Sequence, residues 1–479
     1  MSPPTSPPLS QFPVLRSDTL SGIFSGQVTP ENSGCFAYAR NFNPTTLALA
    51  RQLAAMEGTE AAYATASGMS AIVVALLSVC NAGDTIIAAD AIYGGTYALL
   101  ADFLPAKCGI KTVWVDAADS AAVGAALEAN PGAKAVYCET LSNPTLVVPD
   151  LPALASLAHA AGATFIVDNT FAPLAVTPAR WGADIVIHSM TKGISGASDV
   201  LAGAVCGTSA FIASLMDMRL GPIMVTGPTL DAKTAAELGL RLPHLGLRVR
   251  EQGRRALAFA TALQAAGASV RYPGLASHPH ADRWARLVNP GYGSGGVLTL
   301  DAGSRAAAER LMERLQNKAG FGLMAVSLGY HETLLSVSGA STSSEMPEEK
   351  RAAVGLSDGL LRISCGYTGS LETRRAQLAG AWAAHVSGEA ARAAGKTPPF
   401  RAAAIVRDGR GGLTRLASWD SFGEGEEEEE EEEEGEAGGA GGGGDGKKAV
   451  RVGAGKEVVY VRAAAAAAVQ AVANGGVAP

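Results

Sequence analysis

From about Glu60 onward, short apolar runs alternate with longer stretches whose apolar positions recur at helical spacing, a rhythm that predicts parallel strands joined by helical crossovers. AAYATAS (61–67) reads as a strand and SGMSAIVVALLSVC as a helix. DTIIAAD, KTVWVD, AKAVYCET, TFIVDNT, DIVIHSM and AGAVCG continue as strands, with GGTYALLADFLPA, SAAVGAALEAN and LPALASLAHAAG as the helices between them. From about Leu245 the texture changes to longer charged helical stretches, LRVREQGRRALAFATALQAA and RAAAERLMERLQ, with short strands GGVLTLD and LLRISCG. The pattern predicts an arm over 1–44, a large α/β domain with a mainly parallel sheet over 45–244, and a smaller α+β domain over 245–385.

Beyond that point, residues 386–479 are rich in Ala, Gly and Arg and hold nine consecutive glutamates, Glu426–Glu434, followed by a glycine tract. Like-charge blocks and glycine tracts bury too little apolar surface to offset the entropy of ordering, so a largely disordered tail is expected, with a possible local strand and helix in KEVVYVRAAAAAAVQAVA. The tail also distorts the charge. The formal net charge is −7, but the twelve acids between Gly423 and Gly446 account for all of it, and without them the chain carries +5.

At 479 residues the chain is long enough for two domains or more. Its nearly neutral body has no basic patch to bind nucleic acid and no run of about 18 apolar residues to span a membrane, which leaves a small-molecule enzyme as the expected class. Six scattered cysteines without a CxxC pair suit a reducing compartment. The opening MSPPTSPPLSQFPVLR lacks both a secretory apolar stretch and an Arg-rich amphipathic pattern, so a cytoplasmic location is expected, with organellar import left open.

Candidate chemistry centres on Lys192, which closes the run GADIVIHSMTK, and on Asp168 in IVDNTFAP, 24 residues earlier. A lysine after a short apolar strand, downstream of a strand-end aspartate, is how many enzymes hold pyridoxal phosphate, the lysine as a Schiff base and the aspartate against the pyridinium nitrogen. Taken singly, each has a plainer reading as a strand-end or turn residue. Ser67, Gly68 and Met69 open a helix directly after a strand, where backbone N–H groups can meet a phosphate. Ser189 and Thr191 alternate with Lys192 so that all three can face one ligand. His278 and His280 in SHPHAD read as a loop and not as a zinc site. Cys365 reads as a buried small residue or a redox-sensitive thiol.

The runs YARNFNPTT, ASGMSAI, DAIYGGTY, ETLSNPT, IVDNTFAPL, HSMTKGISGASDVLAGA, SLGYHETLLSVSGAST and GLLRISCG occur in that order. Through them the chain resembles the Cys/Met-metabolism family of pyridoxal phosphate enzymes from about Ser21 to about Trp382, and within it the runs GPTLDAKTAAELGLRLPHLGLRVREQ, GFGLMAVSLGYHETLLSVSGASTSSE and LLRISCGYTGSLE look most like the plant-type methionine gamma-lyases. The resemblance implies fold type I, an aspartate-aminotransferase-like architecture. It also implies Lys192 as the Schiff-base lysine, Asp168 as the pyridinium partner, and Gly68, Met69, Ser189 and Thr191 as phosphate binders. Tyr38 and Arg40 would reach the phosphate from the neighbouring subunit of a homotetramer built as a dimer of dimers. Tyr93 would stack on the ring and act as acid or base, with its acidity raised by nearby positive charge. Asn143 would lie near the ring hydroxyl, and Arg362 with Ser327 would hold the substrate carboxylate.

The implied reaction is α,γ-elimination of L-methionine to methanethiol, 2-oxobutyrate and ammonia. Cystathionine gamma-lyase, cystathionine gamma-synthase and O-acetylhomoserine sulfhydrylase activities are the alternatives within the family; a catalytically weak cofactor binder or a scaffold acting through the glutamate tail is the alternative outside it. Three positions depart from the family pattern. Gly95 stands where well-known bacterial methionine gamma-lyases carry a cysteine, Gly193 replaces the common aromatic after the lysine, and Ala197 replaces a usual histidine. The last two remove bulk and are expected to widen or loosen the pocket.

Overall fold

The structure is a computed structural model of the single chain and describes residues 16–25, 27–28, 36, 38–338 and 345–394, together with four short strands further on. The first sheet has seven strands: β1 (Ala61–Thr65), β2 (Thr85–Ala89), β3 (Lys111–Val115), β4 (Ala135–Glu139), β5 (Thr164–Asp168), β6 (Ile185–Ser189) and β7 (Gly203–Gly207). Their spatial order is β1-β7-β6-β5-β4-β2-β3. Strands β2 to β6 pair in parallel, and β7 runs antiparallel to both β6 and β1. The parallel strands are linked by helices that make the crossover such pairing needs. The Met190–Ala202 connection forms no helix and returns the chain antiparallel. Phe165, Ile166 and Val167 are wholly buried, as expected of a central strand covered on both faces.

Helix starts follow local chemistry. Ser67 caps the Gly68–Val79 helix by accepting the Ser70 N–H, and Asn43 caps the Pro44–Glu57 helix by accepting the Thr45 N–H. The run expected as one helix, GGTYALLADFLPA, contains a π segment over Leu99–Phe103 between two short α-helical pieces. Pro105 has no N–H to donate to the previous turn, so the regular ladder breaks there.

A second sheet of five strands has the order β10-β11-β12-β9-β8, where β8 is Ser269–Arg271, β9 Val297–Asp301, β10 Leu323–Met324, β11 Leu334–Val337 and β12 Leu360–Ser364. The Leu245–Ala265, Arg305–Asn317 and Leu371–Ala393 helices contribute buried faces to this region; Ala308, Leu311 and Leu315 recur at helical spacing within its core. The last helix runs past the expected boundary at 385. Residues Met1–Ala391 form one compact unit and Arg392–Pro479 another.

In the second unit the described residues form four short strands, and Lys456–Val459 lies in the KEVVYVR run expected to form a local strand. Ile405–Arg407, Leu413–Arg415, Ala449–Val452 and Lys456–Val459 pair as an antiparallel sheet. Their valines and isoleucine are good strand formers whatever the composition around them. The Glu426–Glu434 run lies outside the described residues. Among the described residues no helix is long and apolar enough to cross a membrane.

The SHPHAD segment is more than a plain loop. His278 Nε2 donates to the Leu146 carbonyl at 3.1 Å, and the Val148 N–H donates to His280 Nδ1 at 3.2 Å. The His280 N–H in turn donates to His278 Nδ1 at 3.1 Å, while Arg283 Nη1 donates to the Val148 carbonyl at 2.7 Å. Both imidazoles therefore accept at Nδ1, which requires them neutral there. Burial pushes His278 down to about 4 and lowers His280 as well. This strap pins the segment that follows β4, where Leu146 has a positive φ of 57°.

Because the folded protein disfavours the charged imidazole, the strap's contribution is complete above the ordinary histidine value of 6.5 and is lost as pH falls from there toward about 4. The apparent Tm should accordingly drop more steeply across that window in the wild-type protein than in His278→Gln, whose amide can donate and accept without titrating. Equal slopes in scanning calorimetry would count against the strap.

Candidate active site

The carboxyl ends of the strands in the first sheet converge on one cavity of about 360 Å³. Chain order reverses direction on either side of β2 and β4, and such switch points open a crevice at the strand ends. Tyr93 follows β2, Asn143 follows β4, Asp168 ends β5, and Ser189 ends β6 with Thr191 and Lys192 just beyond. Gly68 and Met69 begin the helix after β1. From the second sheet come Ser327, between β10 and β11, and Arg362 within β12. All ten of these residues line the cavity.

Lys192 Nζ donates to Ser327 Oγ at 2.9 Å. Burial, followed by the charge of Arg362, pulls the amine down to about 8, so its neutral form is accessible near physiological pH. Ser327 holds φ at 92°, an uncommon conformation for a residue with a side chain and one that costs on the order of 1–3 kcal/mol. In that posture its carbonyl accepts Arg362 Nη2 at 2.8 Å, while Asn143 Oδ1 accepts Arg362 Nη1 at 3.0 Å. Arg362 is 2% exposed, and its Nε has no hydrogen-bond partner. Among the described residues its hydrogen bonds go to neutral oxygens, and burial lowers it to about 10. A guanidinium in this state is matched to an incoming carboxylate.

Asp168 is half-buried, and the desolvation of its carboxyl in the cavity raises it. Its Oδ1 accepts the Thr170 N–H at 2.9 Å, and Thr170 Oγ1 accepts the Ser189 N–H at 2.7 Å. Thr170 thus fastens the ends of β5 and β6 together. Gly68 backs directly onto Ser189, where an added Cβ would stand 2.6 Å from the Ser189 Cβ. Pyridoxal phosphate fits this donor set. Lys192 offers an amine to its aldehyde carbon, Asp168 a half-buried carboxylate to its ring nitrogen, and the Gly68 helix start, packed against Ser189, a crowded cradle with no room for a side chain at Gly68. Thr191 Oγ1 already bonds to Ala202, donating to its carbonyl at 3.3 Å and accepting its N–H at 3.1 Å.

Tyr93 is 40% exposed, and the groups of this chain around it act together to raise its phenol. Burial, Glu345 and Glu139 all raise its phenol, and only Arg362 lowers it. The groups of this chain therefore keep the proton on Tyr93. Gly95 leaves room for the ring, since a Cβ there would lie 2.6 Å from Tyr93 Cε1. Gly193 does not widen the main cavity. A Cβ at that position would meet only Pro173 at 3.7 Å, and the space borders a separate cavity of about 20 Å³. Near Ala197, the loop after Lys192 is held by Arg248, which donates to the Gly193 and Ile194 carbonyls at 2.5 and 2.8 Å.

Tyr38 and Arg40 do not line the cavity. Arg40 lies 5.4 Å from the Tyr38 ring centroid and donates to the Met224 carbonyl at 2.6 Å. Sequence reasoning missed Thr170, Arg248 and Glu139. Thr170 follows Asp168 by two residues and was open to recognition as a strand-end hydroxyl; Arg248 sits in LRVREQ among charged neighbours with nothing to mark it as buried. Cys365 is buried, and burial holds its thiol well above the ordinary range, which favours the small-residue reading. His188 is buried against Glu57, 2.6 Å from Nε2 to Oε1.

Residues 7–370 match the family described as Cys/Met metabolism PLP-dependent enzyme. A methionine gamma-lyase of Arabidopsis thaliana is 48% identical over 367 residues, covering 77% of this chain and 83% of the relative. A cystathionine gamma-lyase of Bacillus subtilis (strain 168) is 36% identical over 357 residues, 74% of this chain and 89% of that one. Among solved structures, the cystathionine gamma synthase of Xanthomonas oryzae pv. oryzae, in complex with aminoacrylate and cysteine, superimposes with a TM-score of 0.71 at 31% identity, covering 79% of this chain and 92% of its own. Likeness of this extent, with a lysine, a half-buried carboxylate and a glycine-lined helix start in one cavity, makes the chain a fold type I member of the Cys/Met metabolism family of pyridoxal-phosphate-dependent enzymes.

Proposed function

We propose that the protein is a carbon–sulfur lyase that eliminates methanethiol from L-methionine, leaving 2-oxobutyrate and ammonia. One observation carries the substrate assignment: among the described residues of this chain Arg362 is the one guanidinium lining the cavity, whose wall also presents Leu201, 70% exposed, and Val326, 65% exposed. Methionine has one carboxylate and an uncharged thioether end. Cystathionine carries a second amino-acid head whose carboxylate would meet no arginine there. Glu345, also on the wall, is the feature that favours the sister reading, since it could face a second ammonium.

Bound among Lys192, Asp168, Gly68 and Ser189, pyridoxal phosphate supplies the electron sink that lets a proton leave the substrate Cα. The residues around it divide the remaining work. Arg362 grips the substrate carboxylate, already braced by Asn143 and Ser327. Lys192 Nζ, near 8 and aimed by Ser327 Oγ, accepts the Cα proton. Asp168 holds positive charge at the ring nitrogen. Lys192, once freed of the Cα proton, takes a second one from Cβ; the electrons left behind expel the γ-sulfur, to which Tyr93 donates its hydroxyl proton. Met69 and Leu141 line the same cavity with apolar surface.

Tyr38 and Arg40 complete the site of a neighbouring copy in this reading, within a homotetramer. Arg40→Ala should then weaken cofactor binding without unfolding the chain, as read by absorbance titration of the apoenzyme; unchanged affinity would sink the cross-subunit assignment.

Purified holoenzyme assayed in parallel on L-methionine, L-cystathionine and O-acetylhomoserine plus sulfide should show its highest kcat/KM on methionine, and faster turnover of either alternative would move the function to a sister enzyme. Arg362→Lys exchanges a two-pronged donor for a point charge. It should cost about 100-fold in kcat/KM, carried mostly by KM, the scale of a lost charge-assisted hydrogen bond.

A further inference from the structure

Glu139 ends β4 inside the cavity and is 7% exposed. Its two oxygens serve two different loops. Oε1 accepts the Tyr93 N–H at 2.8 Å, and Oε2 accepts the Asn143 N–H at 2.8 Å. Asn143 passes the restraint on, since its Oδ1 accepts Arg362 Nη1 at 3.0 Å. One buried carboxylate thereby fixes both the phenol proposed to protonate the sulfur and, through one intermediary, the guanidinium proposed to hold the substrate.

We propose that Glu139 is a positioning residue that couples Tyr93 to Arg362. The proposal rests on the roles assigned above to Tyr93 and Arg362. Glu139 does not touch the reacting atoms in this account; it acts through the backbone N–H groups of Tyr93 and Asn143 and through its own charge.

The charge is consistent with the geometry. Burial and the neighbouring Asp168, its register partner on β5, push the Glu139 carboxyl up to about 8, while the two backbone donors pull it down. With both oxygens accepting N–H groups, the arrangement is that of the ionised form. The titratable and charged groups facing Tyr93 are Glu345, Glu139 and Arg362, two carboxylates against one guanidinium. Removing the Glu139 charge therefore lowers the phenol, and activity that needs the phenolic proton is lost at a lower pH.

Three variants of the holoenzyme, assayed on whichever of the three substrates turns over fastest, test this. Tyr93→Phe identifies the alkaline limb of kcat/KM that belongs to the phenol, and persistence of that limb would reject the role of Tyr93 independently of Glu139. Glu139→Gln should lower kcat/KM at least tenfold and move the limb toward neutral pH by half a unit or more, with the cofactor absorbance band retained. Glu139→Asp keeps the charge but is too short to reach both N–H groups, so it should lower kcat while leaving the limb in place. Wild-type rates and limb in Glu139→Gln would overturn the proposal. If that variant does not hold the cofactor, wild-type kcat in Glu139→Asp would overturn it instead.

Discussion

A guanidinium buried among neutral oxygens is the constraint around which the cavity is arranged. Arg362 interrupts a strand whose neighbours, Leu361 and Ile363, are fully buried, and removing its charge from water is costly unless polar groups surround it. Those groups are the Ser327 carbonyl and the Asn143 amide oxygen, both uncharged. They satisfy part of the donor fork and leave Nε without a partner among the described residues. The uncommon φ of Ser327 follows from the same requirement, because that posture lets one residue offer its carbonyl to Arg362 and its hydroxyl to Lys192.

Around this cation the carboxylates are kept apart by backbone donors. Glu139 and Asp168 end adjacent parallel strands in register, so their side chains emerge on one face of the sheet. Each is held by N–H groups, Glu139 by Tyr93 and Asn143, Asp168 by Thr170. With these restraints, two acids, an amine and an arginine share a small space without collapsing into direct ion pairs, and their charges remain directed at a ligand.

Much of the first sheet was legible because its signals are local. Apolar runs such as FIV in β5 and the helical stretches between them sit within a residue or two of their expected limits. Lys192 and Asp168 stood out for the same reason, each at the end of a readable strand. What escaped depends on partners distant in sequence. The antiparallel sense of β7 is decided by a connection without a helix, and β8 and β10 are too short to carry a period. Arg248 looked like any charged residue on a helix until the carbonyls of Gly193 and Ile194 gave it a reason to be buried. The carboxylates that raise Tyr93 were not legible, because Glu139 lies 46 residues away and Glu345 lies 252 residues away, where no spacing rule reaches.

The Lys192–Ser327 and Arg362–Asn143 bonds each join a residue attached to the seven-stranded sheet to one attached to the five-stranded sheet. The reactive centre is thus a seam between two hydrogen-bonded ladders and has no rigid scaffold wholly its own. A disturbance that slides the sheets by a fraction of an ångström leaves every ladder intact yet separates amine from hydroxyl and guanidinium from amide. In such a molecule catalytic competence is more fragile than secondary structure, and damage remote from the cavity, at any surface that holds the sheets together, can silence the enzyme while it still looks folded.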